Sequence, residues 1–125
     1  MTRPITQTIL DTPTSREEGP PGNCLQAAVA SYLELSLNEV PHFVLHDNWA
    51  HRLRVFAEER GFQLDCVKPD RRLSGIAIGS TERGTHHAVV WSKGITVWDP
   101  HPSRAGLSEV LWLFTLTPIR TREAA

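Results

Sequence analysis

Pro20-Pro21-Gly22-Asn23-Cys24-Leu25-Gln26-Ala27-Ala28-Val29-Ala30 is the stretch that decides how this chain folds. Two prolines make a rigid segment, the glycine a hinge, and none of the three belongs inside a helix. Asn23 is a good N-cap residue, so a helix is expected to begin at Cys24 and run to about Leu35. Cys24, Ala27, Ala28, Ser31 and Leu35 would form one stripe of it, and Leu25, Val29 and Leu33 a second. A helix apolar on most sides is buried on most sides. The small side chains of Ala27, Ala28, Ala30 and Ser31 allow a neighbouring element to come close. The stretch therefore predicts a central helix with a thiol at its first residue.

Upstream, residues 1–22 are rich in Thr, Pro and Gly; Ile5 to Leu10 is expected as an edge strand and Thr12 to Gly22 as loop. Downstream, Ser36-Leu37-Asn38-Glu39 matches a capping box, and Pro41 ends the turn it starts. A helix is expected over Asp47 to Arg60, with Trp49, Leu53 and Phe56 on one face and Gly61 closing it. After Gly61 the period becomes two. Phe62 to Val67 alternates like a half-buried strand, and Ile76 with Ile78 marks another. His87 to Trp91, a Ser92-Lys93-Gly94 turn and Ile95 to Trp98 read as a hairpin, stopped by Asp99-Pro100. Val110 to Leu116 is a last strand, and the tail, residues 119–125, is expected to fray. Helices first and an antiparallel sheet after them predict an α+β domain with the buried helix packed on the sheet.

The chain has 125 residues, enough for one domain over 1–125. Charged residues are 22% and the formal net charge is −1. No basic stripe asks for nucleic acid. No apolar run approaches the ~20 residues of a membrane span, and the first residues carry no apolar signal core. These features predict a cytoplasmic protein without nucleic-acid or membrane partners. In that compartment thiols stay reduced, so Cys24 and Cys66 are expected to be free. His42, His46 and His51 do not make a metal-binding pair on one helix face, and neither a metal nor a cofactor is expected. Trp91, Trp98 and Trp112 are expected in the core or in a cleft wall, and Trp49 as a core anchor.

Three residue types then stand in a meaningful order. A thiol at a helix N-terminus gains thiolate character. His86-His87 heads a strand, and an imidazole there can take and return a proton. Successive strand side chains point to opposite faces, so only one of the two serves; His87, which abuts Ala88-Val89-Val90, is the expected base and His86 the alternative. Asp99 ends the return strand. Eleven residues separate it from His87, the length of two short strands and a tight turn. Cross-strand neighbours lie ~5 Å apart, so Asp99 can orient the imidazole.

Cys24 at a buried helix start, His87-Ala88-Val89-Val90 opening one strand and Val97-Trp98-Asp99-Pro100 closing the next resemble the papain-like cysteine peptidases, with the C39-like group the nearest match. A shorter likeness, Gly22-Asn23-Cys24-Leu25, is to the nucleophile loop of OTU-type deubiquitinases, although Pro21 stands where they have Asp. The resemblance implies a Cys24-His87-Asp99 triad. Glu18 stands where the C39-like group places an oxyanion-donating Gln, and Leu25 where Gly is common. The donors implied are then the Cys24 N–H and the side chain of Asn23 or Gln7. The expected activity is cysteine-dependent hydrolysis of an amide, isopeptide or thioester in a peptide or protein. The alternatives are a deamidase or acyl transferase on the same site, and a non-catalytic module that binds a protein partner.

Overall fold

A computed structural model describes residues 2–10 and 21–119. The loop expected up to residue 20, Glu18 within it and the tail from residue 120 lie outside the described residues. Helix α1 spans Cys24–Leu33 and α2 spans Trp49–Glu59, with single 3-10 turns at Leu37–Glu39 and Phe43–Leu45 between them. Five strands follow: β1 Phe62–Val67, β2 Ser74–Ser80, β3 His86–Ser92, β4 Ile95–Trp98 and β5 Glu109–Pro118. They form one antiparallel sheet in the order β1-β5-β2-β3-β4. The domain is α+β, with the helices preceding the sheet in the chain and α1 packed on β3.

Helix α1 begins where the Pro-Gly segment ends, and it stops two residues short of the expected Leu35. Glu34 takes a left-handed conformation (φ 59°), and the Leu35 N–H turns back to the Ala30 carbonyl at 2.8 Å. Ala27, Ala28, Val29, Ala30 and Ser31 are buried in succession. Such all-round burial needs a cover on the side away from the sheet, and the N-terminal segment supplies it. Arg3 N–H donates to the Ser31 carbonyl (2.9 Å) and Ile5 N–H to Ser31 Oγ (3.1 Å). Residues 5–10 are therefore not the edge strand expected from their β-formers. Their polar groups are spent on α1 and on the corner after β4, and they form no ladder.

The capping box at Ser36 forms as expected: Ser36 N–H and Oγ–H both donate to Glu39 Oε1, at 3.1 and 2.9 Å. In α2, Leu53, Phe56 and Ala57 face the core, and Trp49 meets Phe114 edge-on at 6.0 Å. Gly61, at φ 88°, accommodates the left-handed residue that ends α2. Beyond the expected end of the last strand, Ile119 N–H still donates to the Gly61 carbonyl at 2.8 Å.

The last strand enters the middle of the sheet, between β1 and β2. It does so against two glycines of β2. A Cβ on Gly75 would collide with the Phe114 carbonyl, and one on Gly79 with the Glu109 carbonyl. Lys93 and Gly94 both have positive φ (50° and 92°), as a two-residue turn of the primed type requires. That turn folds β4 back along β3, with Val90 opposite Trp98. The corner after β4 is thereby returned to the end of the sheet where β3 begins.

Candidate active site

The structure brings Cys24, His87 and Asp99 together. Cys24 is the first residue of α1, His87 the second of β3, and Asp99 the residue after β4. His87 Nε2 lies 2.6 Å from Asp99 Oδ1, and both side chains are almost fully buried. The ring and Cys24 line one cleft, and the sulfur is one of the groups that raise the ring's basicity. Because Nε2 is engaged by Asp99, Nδ1 is the ring nitrogen left for the sulfur. Burial works against charging the His87 ring. The Asp99 carboxylate and the Cys24 sulfur outweigh it and push the ring up to about 9. Burial likewise opposes ionisation of Asp99. It is outweighed by the bond from His87 and by the His101 and Gly106 N–H groups, and the carboxyl is held at about 2. His101 N–H donates to Oδ1 at 2.8 Å and Gly106 N–H to Oδ2 at 2.7 Å. The fully donated carboxylate is fixed in its plane and holds the ring in one orientation.

His86 stands exposed on the rim of a cleft of about 560 Å³ whose wall also includes Cys24, His87, Val44, Trp49 and Trp112. It makes no bond to Asp99. Trp112 is half exposed in that wall, whereas Trp91 is buried in the sheet's second apolar cluster. Cys66 is exposed on β1, and both cysteines are free thiols. His42 Nε2 contacts the Pro21 carbonyl at 3.0 Å. Among the described residues no three His, Cys, Asp or Glu gather as a metal site, and no helix is long and apolar enough to cross a membrane.

Asn23 occupies the N-cap position, but its side chain makes no cap bond to the helix. Its Oδ1 instead accepts from Thr8 N–H (2.9 Å) and Ile9 N–H (2.8 Å), and Nδ2 donates to Thr8 Oγ1 and Gln26 Oε1. With both amide hydrogens committed and the residue 2% exposed, the side chain has none left for an oxyanion. The expectation of Asn23 as an oxyanion donor is corrected accordingly. Gln7 is buried too: Nε2 donates to the Ile9 carbonyl at 2.8 Å, while Oε1 has no partner among the described residues. Because Asn23 leaves the helix start uncapped, the N–H groups of Cys24, Leu25 and Gln26 meet no acceptor among the described residues.

His101 was not legible as a site residue. Its ring stands edge-on to His87 at 5.9 Å and 85°. Ser103 N–H donates to its Nδ1 at 3.0 Å, so the proton of the neutral ring is on Nε2. Burial first, and then the charges of Arg83 and His87, depress its basicity. Its position two residues after Asp99, beyond a proline, was the one available hint.

No protein-family model, curated protein or solved structure matches this chain.

Proposed function

We propose that this protein is a cysteine-dependent hydrolase of amide, isopeptide or thioester bonds, built on a papain-like plan. The observation that carries the reading is the buried His87 ring, held by Asp99 at 2.6 Å in the wall of a cleft it shares with Cys24 at a helix start. A thiol and an imidazole in one cleft, with the imidazole bonded to a carboxylate, have the parts of a nucleophile, a base and an orienting acid. A satisfied structural histidine needs neither the sulfur nor the cleft.

In this reading Cys24 Sγ attacks the carbonyl carbon from the cleft. His87, already an imidazolium in the resting site, carries on Nδ1 the proton of the ionised thiol and delivers it to the leaving nitrogen, oxygen or sulfur. Asp99 keeps Nε2–H pointed away from the sulfur and offsets the imidazolium charge. The uncapped N–H of Cys24 supplies an oxyanion donor, and the positive end of the α1 dipole adds to it. Water then attacks the acyl-enzyme, with His87 as base, and regenerates the thiol.

The test is alkylation of the folded protein by iodoacetamide across pH 5–9, with the modified cysteine assigned by mass spectrometry. The reading requires Cys24 to react in preference to exposed Cys66 below neutral pH, and that preference to vanish in His87→Ala. An acyl electrophile should then leave a covalent adduct on Cys24. If Cys24 reacts no faster than Cys66 and is indifferent to His87, the site is not an enzyme's, and the binding-module alternative stands.

A further inference from the structure

The N-terminal segment does more than cover α1, because its bonds join the two halves of the site. Asn23 Oδ1 accepts the N–H groups of Thr8 and Ile9, and Asn23 N–H donates to the Ile9 carbonyl at 3.0 Å. One residue further back, Gln7 N–H donates to the carbonyl of Pro100 at 3.1 Å. Asn23 is covalently next to Cys24, and Pro100 is covalently next to Asp99. The result is a closed circuit: Cys24, Asn23, residues 7–9, Pro100, Asp99, His87 and back to Cys24. Two further bonds hold the segment along the β4 side, Trp98 Nε1–H to the Ile5 carbonyl at 2.8 Å and an Arg104 guanidinium to Thr6 Oγ1 at 2.9 Å. Arg104 in turn lies over the Trp98 ring at 4.2 Å and donates to the Asp99 carbonyl at 3.0 Å.

We infer that Asn23 is a positioning residue: acting through residues 7–9, it holds the start of α1 against the Asp99–Pro100 corner and so sets the spacing of Cys24 from His87. The inference rests on the function proposed above. Two features favour this role over ordinary capping. The first is that Asn23 gives up the cap bond its position offers and spends Oδ1 on the segment instead. A side chain that served only α1 would satisfy the helix N–H groups. The second is the asymmetry of the circuit. Every link except the one between Cys24 and His87 is a covalent bond or a hydrogen bond that no turnover need break. The frame therefore fixes the one contact that must open and close during reaction. A displacement of ~1 Å between reacting groups can cost ~10² in rate, so a clasp at this place acts on chemistry and not only on folding.

Asn23→Ala removes both side-chain acceptor bonds and leaves the backbone bond to Ile9. Asn23→Ser restores a short acceptor. Trp98→Phe keeps an aromatic ring and removes the bond to Ile5, loosening the segment at its β4 side without touching Asn23. Each is measured by the rate of Cys24 alkylation against pH, with Cys66 as internal reference and circular dichroism as the check of folding. Asn23→Ala is expected to slow Cys24 by about tenfold or more near neutral pH and flatten its pH profile. Asn23→Ser should recover part of the loss, and Trp98→Phe should lower the rate in the same sense. Cys66 should not change in any of them. A folded Asn23→Ala with the parental Cys24 profile overturns the inference. If that variant does not fold, a parental profile in Trp98→Phe overturns it equally. Failure of the proposed function looks different, because there His87→Ala would leave the parental profile unchanged.

Discussion

Asp99→Asn is the substitution that probes the site most directly, because it keeps shape and removes charge. Three donors converge on the two carboxylate oxygens: His87 Nε2 and His101 N–H on Oδ1, and Gly106 N–H on Oδ2. An amide offers a single oxygen. With that oxygen in the Oδ1 place, the NH₂ group faces the Gly106 N–H; turned over, it faces the His101 N–H. Either way one partly buried backbone donor loses its partner, which costs up to about 1–3 kcal/mol. The His87 imidazolium also loses its buried counter-charge, and breaking such a pair raises the total to about 3–5 kcal/mol. For a domain of this size that corresponds to a fall in Tm of roughly 10–20 °C. The His87 ring should become less basic, since the carboxylate is a principal cause of its rise. Turnover of any substrate should fall by up to about 10⁴, the scale of losing the orienting carboxylate in a triad. The assays are thermal unfolding by circular dichroism and Cys24 alkylation against pH. An Asn variant that melts within about 2 °C of the parent, with an unchanged alkylation profile, would refute the account of Asp99 as the group that charges and aims His87.

Other outcomes follow from the same geometry. Because His87 is raised from 6.5 to about 9 in the fold, its contribution to stability is complete below pH 6.5 and is lost as pH climbs towards 9. Asp99, lowered from 3.8 to about 2, contributes above pH 3.8 and loses that contribution as pH falls towards 2. Urea midpoints measured across pH should therefore decline on the alkaline side, and Cys24→Ala, which removes one cause of the rise, should move that decline to lower pH. His86→Ala should leave Cys24 alkylation within about twofold of the parent, as befits an exposed rim residue without a bond to the pair; a loss as large as that of His87→Ala would exchange the roles of the two. Gly79→Ala should destabilise by at least about 2 kcal/mol in denaturant unfolding, because the added methyl meets the Glu109 carbonyl of the neighbouring strand.

Much of the local structure could be read directly. Periodicity set β1 at Phe62–Val67, and the Pro-Gly segment set the start of α1. The Lys93-Gly94 turn makes it necessary that a residue just after β4 returns beside one at the start of β3, so the approach of Asp99 to His87 follows from strand length alone. The choice between His86 and His87 did not follow. By alternation His86 is in step with Ala88 and Val90, which pack in the cluster that includes α1, whereas His87 is in step with Val89 and Trp91 of the other cluster. Parity therefore argues for His86, yet it is His87 that bonds Asp99 and whose basicity Cys24 raises.

What the linear pattern determined is the set of elements and the pairing of neighbours, because helix and strand periods and tight turns are properties of a few consecutive residues. Only the tertiary structure decided that β5 enters between β1 and β2, that Asn23 turns from its helix to Thr8 and Ile9, and that Gln7 meets Pro100 across most of the chain. Those contacts arise where separately formed surfaces close on one another, and each buried polar group then takes whatever partner the closure leaves within reach.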